Sequence, residues 1–248
     1  MKRLILAAFL TLSSALFAQS SIPVGTILPV QLNSRLKSQN SRLGQLVSAR
    51  IMQDVPLPGG SKIRSGSKLI GRFIAVQPAS NGVGAKITLR FNAVAVGKRK
   101  IPVTTNLRAL ASMMEVNEAQ VPESGPDRGT DEFDWSTIQI GGEAAYHGSV
   151  ITNGFRTVGK SVPPTGALVE LTPTRGKCRG NFDSTDLRSN DRLQATWVFG
   201  SNACGLYGFS NLMLVHAGRT SPVGEIVLAS DKGNVDIRAG SGMLVRVD

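Results

Sequence analysis

Residues 86–96 show the clearest alternation in the chain. Ile87, Leu89 and Phe91 fall on one face, while Lys86, Thr88, Arg90 and Asn92 fall on the other. A period of two marks a strand with one side buried. The apolar phase slips at Ala93 and Val94, which predicts a bulge or a strand that becomes buried on both faces. Lys68–Gln77 shows a similar pattern, with Leu69, Phe73 and Ala75 set against Lys68, Arg72 and Ile74. Earlier strands are predicted at Ile27–Leu32, entered through Pro23 and Gly25, at Leu46–Ile51 and at 62–64. A polar loop or short helical turn is expected over 34–44, a turn at Pro56-Leu57-Pro58-Gly59-Gly60, and a hairpin through Gly97 and Lys98 into 100–104.

One stretch reads as a helix. Over 106–120, Leu107, Leu110, Met113 or Met114, and Val116 recur at helical spacing, with Glu115 and Glu118 facing out. Residues 115–134 hold seven carboxylates and one base, Arg128, and with Pro122, Gly125, Pro126 and Gly129 the part after Val121 reads as an acidic linker. Residues 135–217 form a Gly-punctuated β segment with short apolar runs at 138–140, 167–171, 195–199 and 212–215. Residues 218–248 read as closing strands. The whole predicts an all-β, mostly antiparallel fold, a barrel or a sandwich, with one short helix and a Gly-rich, disulfide-containing β insertion.

The first 18 residues change the setting. Lys2 and Arg3 precede a short apolar run, 4–16, and Ala18 is the expected cleavage position of an export signal. No cysteine stands there for lipid attachment, and nothing later approaches the roughly 20 apolar residues of a membrane helix. The expected mature chain, 19–248, is soluble and exported, to the periplasm or the cell surface of a bacterium. Cys178 and Cys204 are the only cysteines. In an oxidising compartment an even count predicts a bridge. Trp197, Phe199, Tyr207 and Phe209 are expected around it as core, with Trp197 and Phe199 sharing one face of a strand; the alternative is a carbohydrate platform on Trp197 and Tyr207.

Charge adds a candidate surface. Residues 19–114 carry 14 Lys/Arg and one carboxylate, Asp54. A solvated β face ordinarily mixes both signs, so this block predicts a surface for an anionic partner or part of an envelope assembly. Its candidate residues are Arg35, Lys37, Arg42, Lys62, Arg64, Lys68, Arg72, Lys86, Arg90, Lys98, Arg99 and Lys100. Phe73 and Phe91 are the only aromatic residues of the block, which disfavours stacking or sequence-specific recognition of nucleic acid.

The chain also echoes itself. Lys62-Ile-Arg-Ser-Gly-Ser-Lys-Leu-Ile70 recurs as Asp236-Ile-Arg-Ala-Gly-Ser-Gly-Met-Leu244, each reading as two short strands around a tight Gly turn. Such a pair predicts corresponding corners of one barrel, closed by the last residues of the chain. The motifs Ile22-Pro-Val-Gly-Thr-Ile-Leu-Pro-Val-Gln-Leu32, Gly44-Gln-Leu-Val-Ser-Ala-Arg-Ile51, Ile63-Arg-Ser-Gly-Ser-Lys-Leu-Ile-Gly-Arg72 and the strand 87–96, with the closing segment 235–247, resemble in order the C-terminal barrel of TrbI-type scaffold proteins of type IV secretion and conjugation machines. The resemblance covers under half of the mature chain. It implies an envelope β-barrel without enzymatic activity that docks other subunits. The expected export signal, the short central helix and segment 135–217 depart from that family. A weaker similarity is to small exported β domains of flagellar and pilus assembly factors.

Catalytic motifs add little. Ser34/Lys37 and Ser65/Lys68 have Ser-x-x-Lys spacing, but neither falls on a predicted helix, and the supporting motifs of that chemistry are missing. His147 and His216 are isolated in sequence. Asp54, Glu143, Glu170, Asp183, Asp186, Asp191 and Glu225 offer no evident acid–base pair. No enzymatic activity, metal or cofactor is expected. Other envelope proteins are the expected partners, with an anionic glycan or lipid headgroup as the alternative.

Overall fold

The computed structural model describes residues 21–164, 166–176, 178–179, 185–186 and 192–248. The expected export signal with its expected cleavage position Ala18, and two of the candidate carboxylates, Asp183 and Asp191, lie outside the described residues.

The N-terminal half supplies β1 (Ile27–Leu32), β2 (Leu36–Lys37), β3 (Leu46–Ile51), β4 (Val55–Pro56), β5 (Lys62–Ile63), β6 (Lys68–Gln77), β7 (Ala85–Val96), β8 (Arg99–Pro102) and β9 (Thr105–Ala111). The helix α1 (Met113–Glu118) follows, begun by Ser112, whose hydroxyl accepts from the Glu115 amide. Next come β10 (Ser136–Ile138), β11 (Ala144–Tyr146), β12 (Val150–Asn153), β13 (Arg156–Ser161) and β14 (Ala167–Val169). β15 (Thr174–Arg175) pairs with β16 (Thr185–Asp186), and β17 (Gln194–Ala195) ends the middle segment. The chain then makes β18 (Gly205–Tyr207), β19 (Met213–His216), β20 (Ile226–Ser230), β21 (Asp236–Ile237) and β22 (Gly242–Val247).

The large sheet runs β18-β9-β22-β1-β3-β6-β7-β20-β19, with β8 also on β7. Only β18 beside β9 is parallel within it. The Leu107 amide donates to the Ala217 carbonyl at 2.8 Å, tying β9 to the residue after β19 and bringing the sheet to a nearly closed barrel. A second sheet, β10-β11-β12-β13-β14-β17, is built from the middle segment.

Two apolar cores explain how the strands read. Leu28, Val30, Val47, Leu69, Phe73, Ile87, Leu89, Phe91, Leu107, Leu110, Met243 and Val245 belong to the core inside the barrel. Ile27, Ala109, Ala111 and Leu244 instead join Ile140, Ile151, Val169, Trp197 and Phe199 of the second sheet and its loops. The outer face of β9, β22 and β1 is therefore covered, and every residue of β9 and β22 is buried. On β3, β6 and β7 the outer face meets solvent, and burial alternates over much of each strand.

The helix expected over 106–120 is corrected by this arrangement. Residues 105–111 are strand, α1 covers only Met113–Glu118, and Met114 is exposed. The cause is a bulge. Leu244 pairs with Ala109 and Val245 with Leu107, so Arg108 is the extra residue. One inserted residue turns an i,i+3 spacing into a shared face, bringing Leu107 and Leu110 together inside the barrel. The phase slip after Phe91 is the same device: Gly71 pairs with Phe91 and Ile70 with Ala93, leaving Asn92 extra and turning Val94 inward. A third slip lies between Phe73 and Ala75, so Ala75 is exposed rather than on the buried face, and Val76 packs inward.

The internal echo marks two equivalent corners. Leu36 pairs with Ile237 and Val55 with Ile63. The Gly66 amide donates to the Ile51 carbonyl, and the Ile51 amide to Ser67; likewise Gly240 donates to Leu32, and Leu32 to Ser241. Gly66 and Gly240 both have a φ near +90°, which favours glycine. Each corner also carries an ion pair at matching positions with its polarity reversed. Arg35 and Asp236 hold one corner, Asp54 and Lys62 the other.

Polar staples join the two sheets. Gln53, 5% exposed, accepts from the Ala167 and Trp197 amides at 3.0 and 2.8 Å and donates to the Ala167 carbonyl at 2.9 Å. The bulged Arg108 donates to the carbonyls of Ala203, Thr172 and Ser201. The buried Glu143 carboxylate accepts from the Ser201 amide and hydroxyl. Cys178 and Cys204 form the expected disulfide.

Candidate functional site: a cationic barrel wall

The uncovered wall of β3, β6, β7 and β8 collects much of the basic block. In register across it run Gln31, Arg50, Lys68, Ala95 and Lys100. A second row holds Leu46, Arg72 and Arg90. Arg50 thus stands opposite Lys68, and Arg72 opposite Arg90. Like charges directly across a ladder are ordinarily destabilising, so folding alone does not favour this pattern. Arg50 was not among the candidate residues; its alternation with Val47, Ala49 and Ile51 was the available signal.

Three candidates already have partners. Arg35 makes two hydrogen bonds to Asp236, Lys62 lies 2.5 Å from Asp54, and Arg90 lies 2.6 Å from Glu225. Lys37, Arg42, Arg64, Lys68, Arg72, Lys86, Lys98, Arg99 and Lys100 have no carboxylate within 4.0 Å among the described residues. Lys37 is half-buried, and the other eight are exposed. The structure does not gather all twelve into one patch: Arg35 and Lys37 sit at the β2–β21 corner, Lys62 and Arg64 at the β4–β5 corner. Apolar residues are interleaved with the charges. Leu46 is 68% exposed beside Arg72, and Leu43, next to Arg42, is 74% exposed.

The corner ion pairs give a pH signature. The hydrogen bond from Lys62, and then that from the Ser65 amide, hold the Asp54 carboxyl below its ordinary value of 3.8. Arg35 does the same for Asp236. Both folded values are depressed, so the pairs stabilise the fold above the ordinary value and lose that contribution as pH falls through the lower folded values. Their exposure keeps the effect small. Thermal melts should show a steeper loss of Tm below pH 3.8 for the wild type than for the Asp54→Asn/Asp236→Asn double variant.

Of the four aromatic residues expected around the bridge, three are buried as core and Phe209 is half-buried against the barrel core; among the described residues only Tyr207 bonds to a bridge residue. Trp197 is 1% exposed, and Phe199 and Tyr207 are buried. The expected strand alternation is corrected, however: Trp197 lies in a turn after β17 with φ +56°. Tyr207 accepts from the Cys204 amide, Arg179 lies over its ring, and burial raises its pKa. Trp197 and Tyr207 therefore do not form an exposed platform. Ser34/Lys37 and Ser65/Lys68 do not lie on helices. Among the described residues no cluster of His, Cys, Asp and Glu could hold a metal, and no helix is long and apolar enough to cross a membrane.

In comparisons with known proteins, no family model matches the chain, and no curated protein matches its sequence significantly.

Proposed function

We propose that the protein is an exported, non-catalytic barrel that docks an acidic face of another envelope protein against its uncovered wall. The observation that carries this reading is the mixture on that wall: exposed cations with no carboxylate within 4.0 Å among the described residues, interleaved with exposed Leu43 and Leu46. Charge alone would suit any polyanion. Apolar side chains among arginines suit a protein interface, where complementary charge sets orientation and speed and buried apolar contact sets lifetime. The disulfide supports an oxidising compartment. The resemblance of the N-terminal motifs and closing strands to TrbI-type scaffold barrels points the same way.

The test uses wild-type, Leu46→Asp and Arg72→Glu proteins as bait on native envelope extract, at low and high salt. The expected result is a discrete protein retained by the wild type at both salts, with capture reduced at least fivefold by each variant. Both substituted positions are exposed, so the Tm should stay near that of the wild type. Recovery of only glycan, lipid or nucleic acid, released by high salt as counterion-driven binding requires, overturns the proposal. Equal capture by all three baits does so as well.

A further inference from the structure

Residues 118–134 form an acidic lobe that the docking reading leaves unused. Glu118, Glu123, Asp127, Asp131, Glu132 and Asp134 are all exposed there, against one exposed base, Arg128. None of the six has a lysine, arginine or histidine within 4.0 Å among the described residues. Phe133 stands among them, 92% exposed, and borders a shallow hollow with His147 and Val150. The lobe has a fixed shape. It is made of two short 3-10 turns, Pro126–Arg128 and Glu132–Asp134. The Asp131 carboxylate accepts from the Phe133 amide at 3.2 Å, and the Glu123 amide donates to the Ser136 carbonyl at 2.9 Å. Behind these turns Gly125 lies against Trp135, whose ring stacks on His147 with centroids 4.3 Å apart. A surface ordered in advance loses little freedom when it is covered.

The lobe is the counterpart of the uncovered wall. The wall sets Arg42, Lys68 and Arg72 around exposed Leu43 and Leu46, and the lobe sets carboxylates around exposed Phe133. Opposite charge around apolar side chains on both sides is the pattern of a complementary interface. Within one chain the two surfaces do not meet. The lobe adjoins β10, at one edge of the second sheet. The other edge, β17, is the one that reaches the barrel at β1, where the Ile27 amide donates to Gln194 Oε1 at 3.1 Å. The wall lies further on, over β3, β6 and β7. No cation of the wall is within 4.0 Å of a lobe carboxylate among the described residues.

We propose that the acidic lobe of one copy docks on the cationic wall of a second copy, with Phe133 against Leu43 and Leu46. This rests on the reading of that wall as a docking surface and names what covers it when no other protein does. The contact is heterologous, so a pair keeps one free wall and one free lobe and can lengthen. Self-association and the envelope partner compete for the same wall. The wall is thereby held covered until that partner displaces the second copy.

Sedimentation velocity of the full chain over a concentration series, at low and high salt, tests this. Species larger than the monomer should grow with concentration and recede at high salt, where exposed charges are screened. Arg72→Glu spoils the wall, and Asp127→Lys/Glu132→Lys spoils the lobe. Each should raise the dissociation constant roughly tenfold or more, because like charges then face each other. All three positions are exposed, so the Tm should stay near that of the wild type. An equimolar mixture of the two variants retains one intact wall and one intact lobe, so it should form a dimer and nothing larger. A wild type that stays monomeric throughout overturns the proposal. So does association that salt leaves unchanged, or a variant mixture that stays monomeric. The lobe variant keeps its wall and should capture the envelope protein at least as well as the wild type. If it does so while the wild type is monomeric, the docking reading stands and self-association falls.

Discussion

Replacing Gln53 by leucine should cost about 3–5 kcal/mol of unfolding free energy, measured by urea titration, although the substitution is nearly isosteric. The side chain is held by three hydrogen bonds to the backbone of the second sheet and its following turn. The Ala167 carbonyl keeps a donor in Gln53's absence, because the Thr196 amide also reaches it. The Ala167 and Trp197 amides lose the acceptor that Gln53 gives them, at positions closed to water. Each stranded buried donor costs about 1–3 kcal/mol. Trp197 adds to the loss, since a left-handed conformation in a bulky residue persists only while its surroundings enforce it. Gly166→Ala approaches the same contact from the other side. Its methyl group would sit 2.9 Å from the Gln53 amide carbon, so this variant should also destabilise the fold. An unchanged urea midpoint for Gln53→Leu would show that the staple is dispensable.

Loss of the Cys178–Cys204 bridge should be of similar size. The bridge spans 26 residues of sequence, and closing a loop of that length stabilises the folded state by about 3–4 kcal/mol on the chain-entropy account. Its place in the fold makes the loss local as well as global. Arg179 bridges to Gly205 in parallel register, and the Arg179 amide donates to the Cys204 carbonyl. A Cβ on Gly205 would lie 2.0 Å from the Arg179 carbonyl oxygen, so the two segments approach backbone to backbone. A Cys178→Ser/Cys204→Ser variant should therefore melt earlier and become sensitive to proteolysis between 178 and 204 before the barrel opens. Coincident melting of the two regions would argue against that order.

Much of the barrel was legible because its exposed wall obeys the simplest rule of strands. The period of two in 86–96 and Lys68–Gln77 placed β6 and β7 within a residue of their observed ends. The repeated Ile-Arg-x-Gly-Ser found the two corners. What misled was the covered wall. Residues 105–111 are buried on both sides, so alternation vanishes, and the bulge at Arg108 sets Leu107 and Leu110 at a spacing that imitates a helix. The same bulge geometry at Asn92 was readable because clear alternation precedes it. Trp135 and His147 lie 12 positions apart across a hairpin, so no local pattern announces their stacking. Gln53 carries no sequence signal at all, because its partners are backbone groups that any residue supplies.

The position of β22 has a consequence in time. It fills the slot between β1 and β9, pairing Ile27 with Arg246 and Leu110 with Met243. A chain made from its N-terminus therefore presents β1 and β9, both buried in the finished fold, long before their common neighbour exists. Two open apolar edges of this kind are ready templates for pairing with another chain. Long-range closure of this sort is also intrinsically slow. The vulnerable period of this protein is thus its own biogenesis, and anything that shields β1 and β9 until the final residues arrive governs how much of it reaches the native barrel.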